Sequence, residues 1–130
     1  MSNAILIGKL IYQTITQDNY SYSYIGNRVF PLVAEPDTNY PFIVYSKTNC
    51  YNGSATKDGW TDDKVSFQVI VASDKYDESC NIANQIRNIF ENYTISNTEL
   101  VITNTHLSSM MESFENDAYV QTMNFDCDAE

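Results

Sequence analysis

The apolar positions near the N-terminus recur with the period of an α-helix. In residues 3–16 the repeating positions are Ile7, Leu10 and Ile11. That spacing places them on one face, so the segment predicts a first helix. The polar, tyrosine-rich residues 17–23 interrupt the pattern, and we expect a loop there.

A second helix is predicted from near Asp74 to about Asn92, again from helical spacing. Ser73 or Asp74 is expected to cap it, because a hydroxyl or carboxylate accepts hydrogen bonds from the first amides of a helix. Its predicted apolar stripe consists of Ile82, Ile86, Ile89, Phe90 and Tyr93.

Between and after these helices the apolar period changes to that of strands. Residues 29–33 and 42–48 predict two strands, and Pro31 places the first at a sheet edge or bulge because proline donates no ladder hydrogen bond. Residues 65–72 alternate strictly and predict a third strand. Residues 100–112 and 118–126 predict a closing hairpin. The residues of the last strand that share one face are Tyr119, Gln121, Met123, Phe125 and Cys127.

These elements predict one α+β domain over residues 1–130. We expect a mainly antiparallel sheet of four to five strands, with two helices packed on one face. The second helix lies between the third and fourth strands in sequence, so we expect those two strands to pair around it.

Charge and cysteine content narrow the function classes. Seventeen acidic residues against seven basic ones give a net charge of −10, so nonspecific nucleic-acid binding through neutralised phosphates is not expected. No apolar run reaches the roughly 20 residues needed to cross a bilayer. Cys50, Cys80 and Cys127 show no CxxC spacing, which argues against a disulfide framework and a thiolate metal site.

No catalytic frame or cofactor motif is recognisable. No serine lies in a GxSxG elbow, and the single His106 lies in a strand-like run, where a hydrogen-bonded strand residue is expected rather than a general base. A small hydrolase is therefore the least favoured class. We expect no catalytic residue, cofactor or metal.

The Gly-containing segment 49–63 predicts a long loop and supplies the candidate interface residues. These are Tyr51, Trp60, Asp62 and Asp63. Trp60 either folds back as a lid on the core or anchors a protein interface, and both readings stay open. Asp58, Asp62 and Asp63 could also hold a hard cation, but they lack the spacing of an EF-hand, so a solvated loop is favoured.

Five segments carry a resemblance to the tail-completion, or tail-terminator, proteins of long-tailed bacteriophages. An Arg-Val-Phe-Pro step is followed by a Pro-Phe-Ile-Val-Tyr strand, and later by Ser-Asp-x-Tyr-Asp before a helix. The matching residues are 28–31, 41–45, 73–77, 82–90 and 119–125. The similarity covers nearly the whole chain. Where many relatives carry an Arg pair entering the last strand, this chain has Tyr119 to Gln121.

The resemblance implies a virion structural protein rather than an enzyme. Such proteins assemble as a ring, commonly a hexamer, at the head-proximal end of the tail, where they cap the tail tube and join it to the head. The implied partners are further copies, the tail tube protein and the head connector or neck protein. DNA passes nearby without specific binding, and assembly takes place in the bacterial cytoplasm.

Two other functions stay open at this point. A head-completion or neck protein overlaps in size and in its makeup of sheet and helices. A small acidic, host-encoded domain that recruits a basic partner is the alternative outside the virion. We also expect part of the acidic excess to face the ring channel, where it would repel passing DNA over about 8 Å.

Overall fold

The computed structural model describes residues 3–53, 55–56, 59–60, 63–91 and 94–130, and the side chains of 55–56 and 59–60 are outside that description. The predicted first helix is confirmed as a 3₁₀ turn, Ala4–Leu6, continued by α1, Ile7–Thr16. The face of α1 predicted from the apolar spacing is buried.

The predicted loop at residues 17–23 is wrong, because a second helix, α2, spans Asn19–Ile25. Its sequence has no strong helical period, but Asp18 caps it: the carboxylate accepts a hydrogen bond from the Ser21 amide at 2.9 Å. Gly26 ends the helix with a φ of 54°, a conformation that glycine adopts without strain. Local capping chemistry, rather than an apolar stripe, therefore makes this helix.

The later helix is confirmed as α3, Tyr76–Phe90. Ser73 does not occupy its N-cap, which is Lys75, but the Ser73 hydroxyl accepts from the Lys75 amide and donates to Glu78 at 2.9 Å. Ser73 therefore organises the turn that leads into the helix instead of capping it directly. Tyr93 of the predicted stripe lies outside the described residues.

The strands form one six-stranded sheet and one short two-stranded ribbon. The strands are β1 Val29–Pro31, β2 Phe42–Tyr51, β3 Ala55–Thr56, β4 Gly59–Trp60, β5 Asp63–Ser73, β6 Ile95–Ser96, β7 Val101–Glu115 and β8 Ala118–Ala129. The order across the main sheet is β1-β2-β5-β8-β7-β6, and β3 pairs with β4. In the described part of the chain only β1 and β2 run parallel.

The α+β class and the mainly antiparallel sheet are confirmed, but there are more elements than predicted. Six strands replace four or five, and three α-helices replace two. The expected pairing around α3 is also wrong: β5 pairs with β8, and β7 lies outside β8. Pro31 does lie in an edge strand, as predicted.

α1 and α3 pack on the sheet, α2 packs on both of them, and all three helices contribute to a single apolar core. At its centre the Phe67 ring stacks on Phe125, with centroids 5.2 Å apart, and Phe90 of α3 packs at 5.3 Å from Phe67. All three rings are fully buried. The odd-numbered positions from Gln121 to Ala129 are buried along β8, which confirms the predicted core face except at its first residue, Tyr119.

Replacing Phe67 with alanine should remove the centre of this core. We expect Phe67→Ala to lower the free energy of unfolding by about 3–5 kcal/mol, measured by urea denaturation, because the cavity cannot close fully. Met111→Ala, at a side chain that is 65% exposed, is the matched control and should change it by about 0.5 kcal/mol or less. Equal effects of the two substitutions would contradict the assigned core.

Candidate interaction surfaces

The β7–β8 hairpin is the longest feature of the sheet. A two-residue turn joins its strands, and both turn residues, Asn116 and Asp117, have positive φ values of 51° and 61°. Asparagine and aspartate tolerate this conformation, and two such residues in succession are typical of a type I′ turn. The pairing is regular from Ser109 to Glu115, beyond the last register shift in β7.

The outer edge of β7 is covered near its start and open near its tip. β6 pairs only with Val101 and Ile102, and the Glu91 carboxylate accepts a hydrogen bond from the Leu107 amide at 3.0 Å. Among the described residues, no strand pairs with the outer side of β7 over residues 109–115. This part of β7 is therefore a free sheet edge.

The turn determines which backbone groups of that edge point outward. A two-residue turn closes on the Glu115–Ala118 pair, and an antiparallel ladder then alternates between bonded and non-bonded pairs. By that alternation Met110, Glu112 and Phe114 direct their N–H and C=O groups away from β8. Such groups are a template for an added strand.

Apolar side chains accompany the free edge. Met111 is 65% and Phe114 is 59% exposed, and Met110 is about half exposed. Isolated exposed apolar residues are ordinary, but a group of them on an unpaired edge marks a contact surface. We call Met110, Met111, Glu112, Phe114 and Glu115 the β7 margin.

The β7 margin was not predicted from the sequence. Residues 110–114 read as part of an ordinary strand, and the signal that points to the margin is the adjacent pair Met110 and Met111, since neighbouring strand residues face opposite sides and cannot both enter one core.

Polar and aromatic contacts hold the tip of the hairpin against the start of α3. The Glu112 carboxylate accepts hydrogen bonds from the Tyr76 hydroxyl at 3.0 Å and from the Gln121 amide at 3.1 Å. The Tyr119 ring packs between Tyr76 and Phe114. Hydrogen bonding to Cys80, and then to Glu112, raises the pKa of Tyr76 to about 12. These contacts therefore hold the hairpin that carries the β7 margin in place against α3.

The opposite side of the sheet has a second margin, along part of which no strand of the described residues pairs. β1 ends at Pro31, and the next residues, Leu32 and Val33, are 76% and 74% exposed. Leu32 has a φ of 67°, a left-handed conformation that a leucine adopts only at a cost. Because β1 pairs with β2 only as far as Tyr45, the outer edge of β2 from residue 46 onward extends past it. We call Leu32, Val33 and residues 46–51 the β1–β2 margin.

The face of the sheet opposite the helices carries a polar ladder at one end. The Ser66 hydroxyl donates to Asp126 at 2.6 Å, Gln68 donates to Asn124 at 3.1 Å, and Lys64 pairs with Asp128. A cavity of about 370 Å³ opens above the outer rungs, next to Tyr51 and His106.

His106 is a hydrogen-bonded strand residue, as expected. Its Nδ1 lies 2.9 Å from the Asn104 carbonyl oxygen, and its Nε2 is 4.0 Å from an Asp126 oxygen. The nearest hydroxyl of this ladder, Ser66, donates to Asp126 rather than to the imidazole. Burial raises the pKa of the Cys127 thiol to about 12, so that sulfur is held in its protonated, weakly nucleophilic form.

Of the four predicted interface residues, the structure describes Tyr51 and Asp63 in full and only the backbone of Trp60. Tyr51 ends β2, lies in register with Lys64 and is exposed beside the polar cavity, while Asp63 begins β5 opposite Ala129. The predicted loop at 49–63 is therefore partly strand. Trp60 pairs through its backbone with Ala55 in the short ribbon, but its side chain, and with it the question of lid or anchor, lies outside the described residues.

Asp62 and Asp58 also lie outside the described residues, so the acidic loop is not described as a whole. Within residues 3–53 and the later described ranges, no cluster of three or more histidine, cysteine or acidic side chains is arranged to hold a metal ion. None of the helices that the structure describes is both long and apolar enough to cross a membrane.

Comparison with solved structures shows the fold to be one already seen. The chain is similar to a chain from the virion of a native gene transfer agent particle, with a TM-score of 0.77 and 13% identity over 98% of this chain and 96% of that one. A second solved protein, without a descriptive name, matches with a TM-score of 0.66 and 12% identity over the same shares of both chains. No protein-family model matches the sequence, and no curated protein matches it.

Replacing Asp128 should make the free energy of unfolding depend less on pH in the acidic range. Hydrogen bonds from Lys64 and then Asn104 lower the pKa of this carboxyl. A group whose pKa is lower in the folded state contributes stability above its unfolded pKa of about 3.9 and loses it as pH falls through the folded value. We expect Asp128→Asn to lose less unfolding free energy than the wild type between about pH 5 and pH 2.

The measurement is urea unfolding at a series of pH values. Asp74→Asn, at an exposed carboxylate, is the control and should follow the wild-type profile. If Asp128→Asn and the wild type lose stability in parallel as the pH falls, the ion pair does not contribute in the way that its geometry indicates.

Proposed function

We propose that this chain is a structural protein of a phage-like virion. The observation that carries the proposal is the likeness, over 98% of this chain and 96% of the other, to a chain of a gene transfer agent virion. The match includes almost all of both chains, so the likeness extends over the whole domain. The sequence resemblance to tail-completion proteins leads to the same class independently.

Within that class we propose the role of tail terminator: an oligomeric ring, commonly six copies, at the head-proximal end of the tail. The ring would cap the tail tube and meet the head connector or neck protein. A ring needs two different contact surfaces on each copy. The β7 margin and the β1–β2 margin, at opposite sides of one sheet, supply two such surfaces.

The charge suits a channel through which DNA passes without being bound. Each copy carries a net charge of −10, and a ring concentrates that charge around its axis. Carboxylates repel phosphates over about a Debye length, roughly 8 Å at physiological salt. We propose that acidic side chains line the channel. A ring structure whose channel is lined by lysine and arginine would contradict this part of the proposal.

The proposed activity is assembly rather than catalysis. The polar ladder around Ser66, His106 and Asp126 is linked internally, with the serine bonded to the aspartate and the imidazole to a backbone carbonyl. That arrangement stabilises strands and leaves no activated nucleophile on this ladder.

Deleting the gene from the strain that produces the particle should test the role directly. We expect electron microscopy to show tail tubes of uncontrolled length, or finished tails without heads, because nothing ends tube growth or offers a joint to the head. A plasmid copy of the wild-type gene should restore normal particles.

Two other outcomes of the gene deletion would favour the alternative functions. Tails of normal length beside separate, DNA-filled heads would favour the head-completion alternative. Normal virions made without the protein would contradict the virion assignment and favour a host-encoded binding domain.

A further inference from the structure

We propose that the β7 margin of one copy docks on the β1–β2 margin of the next, so that the sheet continues from copy to copy. The inference rests on the proposed ring function for closure into a ring, and it names the surfaces that make the contact. The occupant of each margin is a second copy of this chain.

Both margins carry backbone groups that no strand of the described residues pairs with. Met110, Glu112 and Phe114 turn their N–H and C=O groups outward, and the outer edge of β2 beyond Tyr45 meets no strand among the described residues. The free segment of β7 has seven residues, and that of β2 has six with a register shift between Lys47 and Asn49. Strand addition would satisfy the hydrogen-bonding groups of both.

The direction of the strands also fits. β2, β5, β8 and β7 are successively antiparallel. A second copy in the same orientation therefore brings its β7 antiparallel to β2 of the first. The new pair would continue the ladder already present in each copy.

Both margins also expose apolar side chains. Met111 and Phe114 are exposed on one side, and Leu32 and Val33 on the other. Leu32 is held at a positive φ and yet points to solvent, so within one copy its side chain gains no burial that would offset the strained backbone. Contact with the neighbouring hairpin would bury it.

The two margins also differ in charge. Glu112 and Glu115 lie on the β7 margin, and Asp117 follows in the turn, whereas the β1–β2 margin carries Lys47. Two β7 margins facing each other would bring acidic residues together, which disfavours a symmetric dimer through this edge. Docking on the β1–β2 margin instead places the acids near a lysine and makes the contact heterologous, the kind that closes into rings.

Two variants, each blocking one margin, test the contact. Met110→Pro removes an N–H that points outward, so it blocks strand addition while leaving the β7–β8 ladder intact. Val33→Asp places a charge on the apolar part of the other margin. Tyr22→Asp, at an exposed side chain on α2, is the control, and circular dichroism verifies the fold of every variant.

Sedimentation velocity of the purified full chain, up to about millimolar concentration, is the measurement. We expect the wild type and Tyr22→Asp to self-associate, and each margin variant alone to associate about tenfold or more weakly, which corresponds to about 1.4 kcal/mol. An equimolar mixture of Met110→Pro and Val33→Asp keeps one intact margin of each kind. It should form a 1:1 dimer that grows no further.

Several outcomes would overturn the inference. A mixture that stays monomeric, a wild type that stays monomeric throughout, or a Val33→Asp variant that associates as the wild type does would each contradict it. If Met110→Pro perturbs the fold, Met111→Lys takes its place, since it puts a charge on an exposed apolar position of the β7 margin.

The test separates this inference from the proposed function. Wild-type rings that persist in both margin variants would exclude these surfaces and leave the virion role standing. Normal virions from the gene deletion would remove the role even if the two margins bind each other in solution.

Discussion

The antiparallel pairing of β5 with β8 is the constraint on which the rest of the structure depends. It brings the last strand of the chain to the middle of the sheet, where Phe67 and Phe125 stack beneath Phe90 of α3. Both strands bury one side along nearly their whole length. Because β8 takes the place beside β5, β7 can pair only on the outside. Its tip extends past β6, so the same contact that completes the core also creates the free edge.

The sequence predicted the elements that have a strong period and missed those made by local or long-range effects. α1, β5 and α3 each repeat an apolar residue at their own spacing, and the structure contains all three. α2 is bounded by the Asp18 cap and by Gly26 and buries Ser21 and Ile25, features that an apolar pattern does not register. From the sequence alone, β7 and β8 are equally suitable partners for β5. The choice between them is decided by the alternating buried side of β8, because β7 buries few residues beyond Thr105.

The candidate surfaces, too, were predicted only in part from the sequence. The glycine-containing acidic segment predicted an interface that includes Tyr51, and Tyr51 is exposed. The margins were not predicted because the apolar residues of a strand are assigned to the core as long as the strand order is unknown. Met110 and Met111 become surface residues only because β7 is an edge strand, and Leu32 only because β1 ends at Pro31. Composition and periodicity describe a strand by itself, whereas an edge is a property of the whole sheet.

The two faces and two margins of the sheet therefore have different physical roles. The helix-covered face holds the core, and the opposite face carries an internally bonded ladder whose carboxylates already have partners in Ser66 and Lys64. The polar side chains of that ladder are therefore bonded to one another. The margins differ, because outward backbone groups and exposed apolar side chains both gain from a partner. Natural edge strands are usually protected by lysine, proline or bulges. Residues 109–115 of β7 contain none of these, whereas the β1–β2 margin carries Lys47 and a register shift between Lys47 and Asn49.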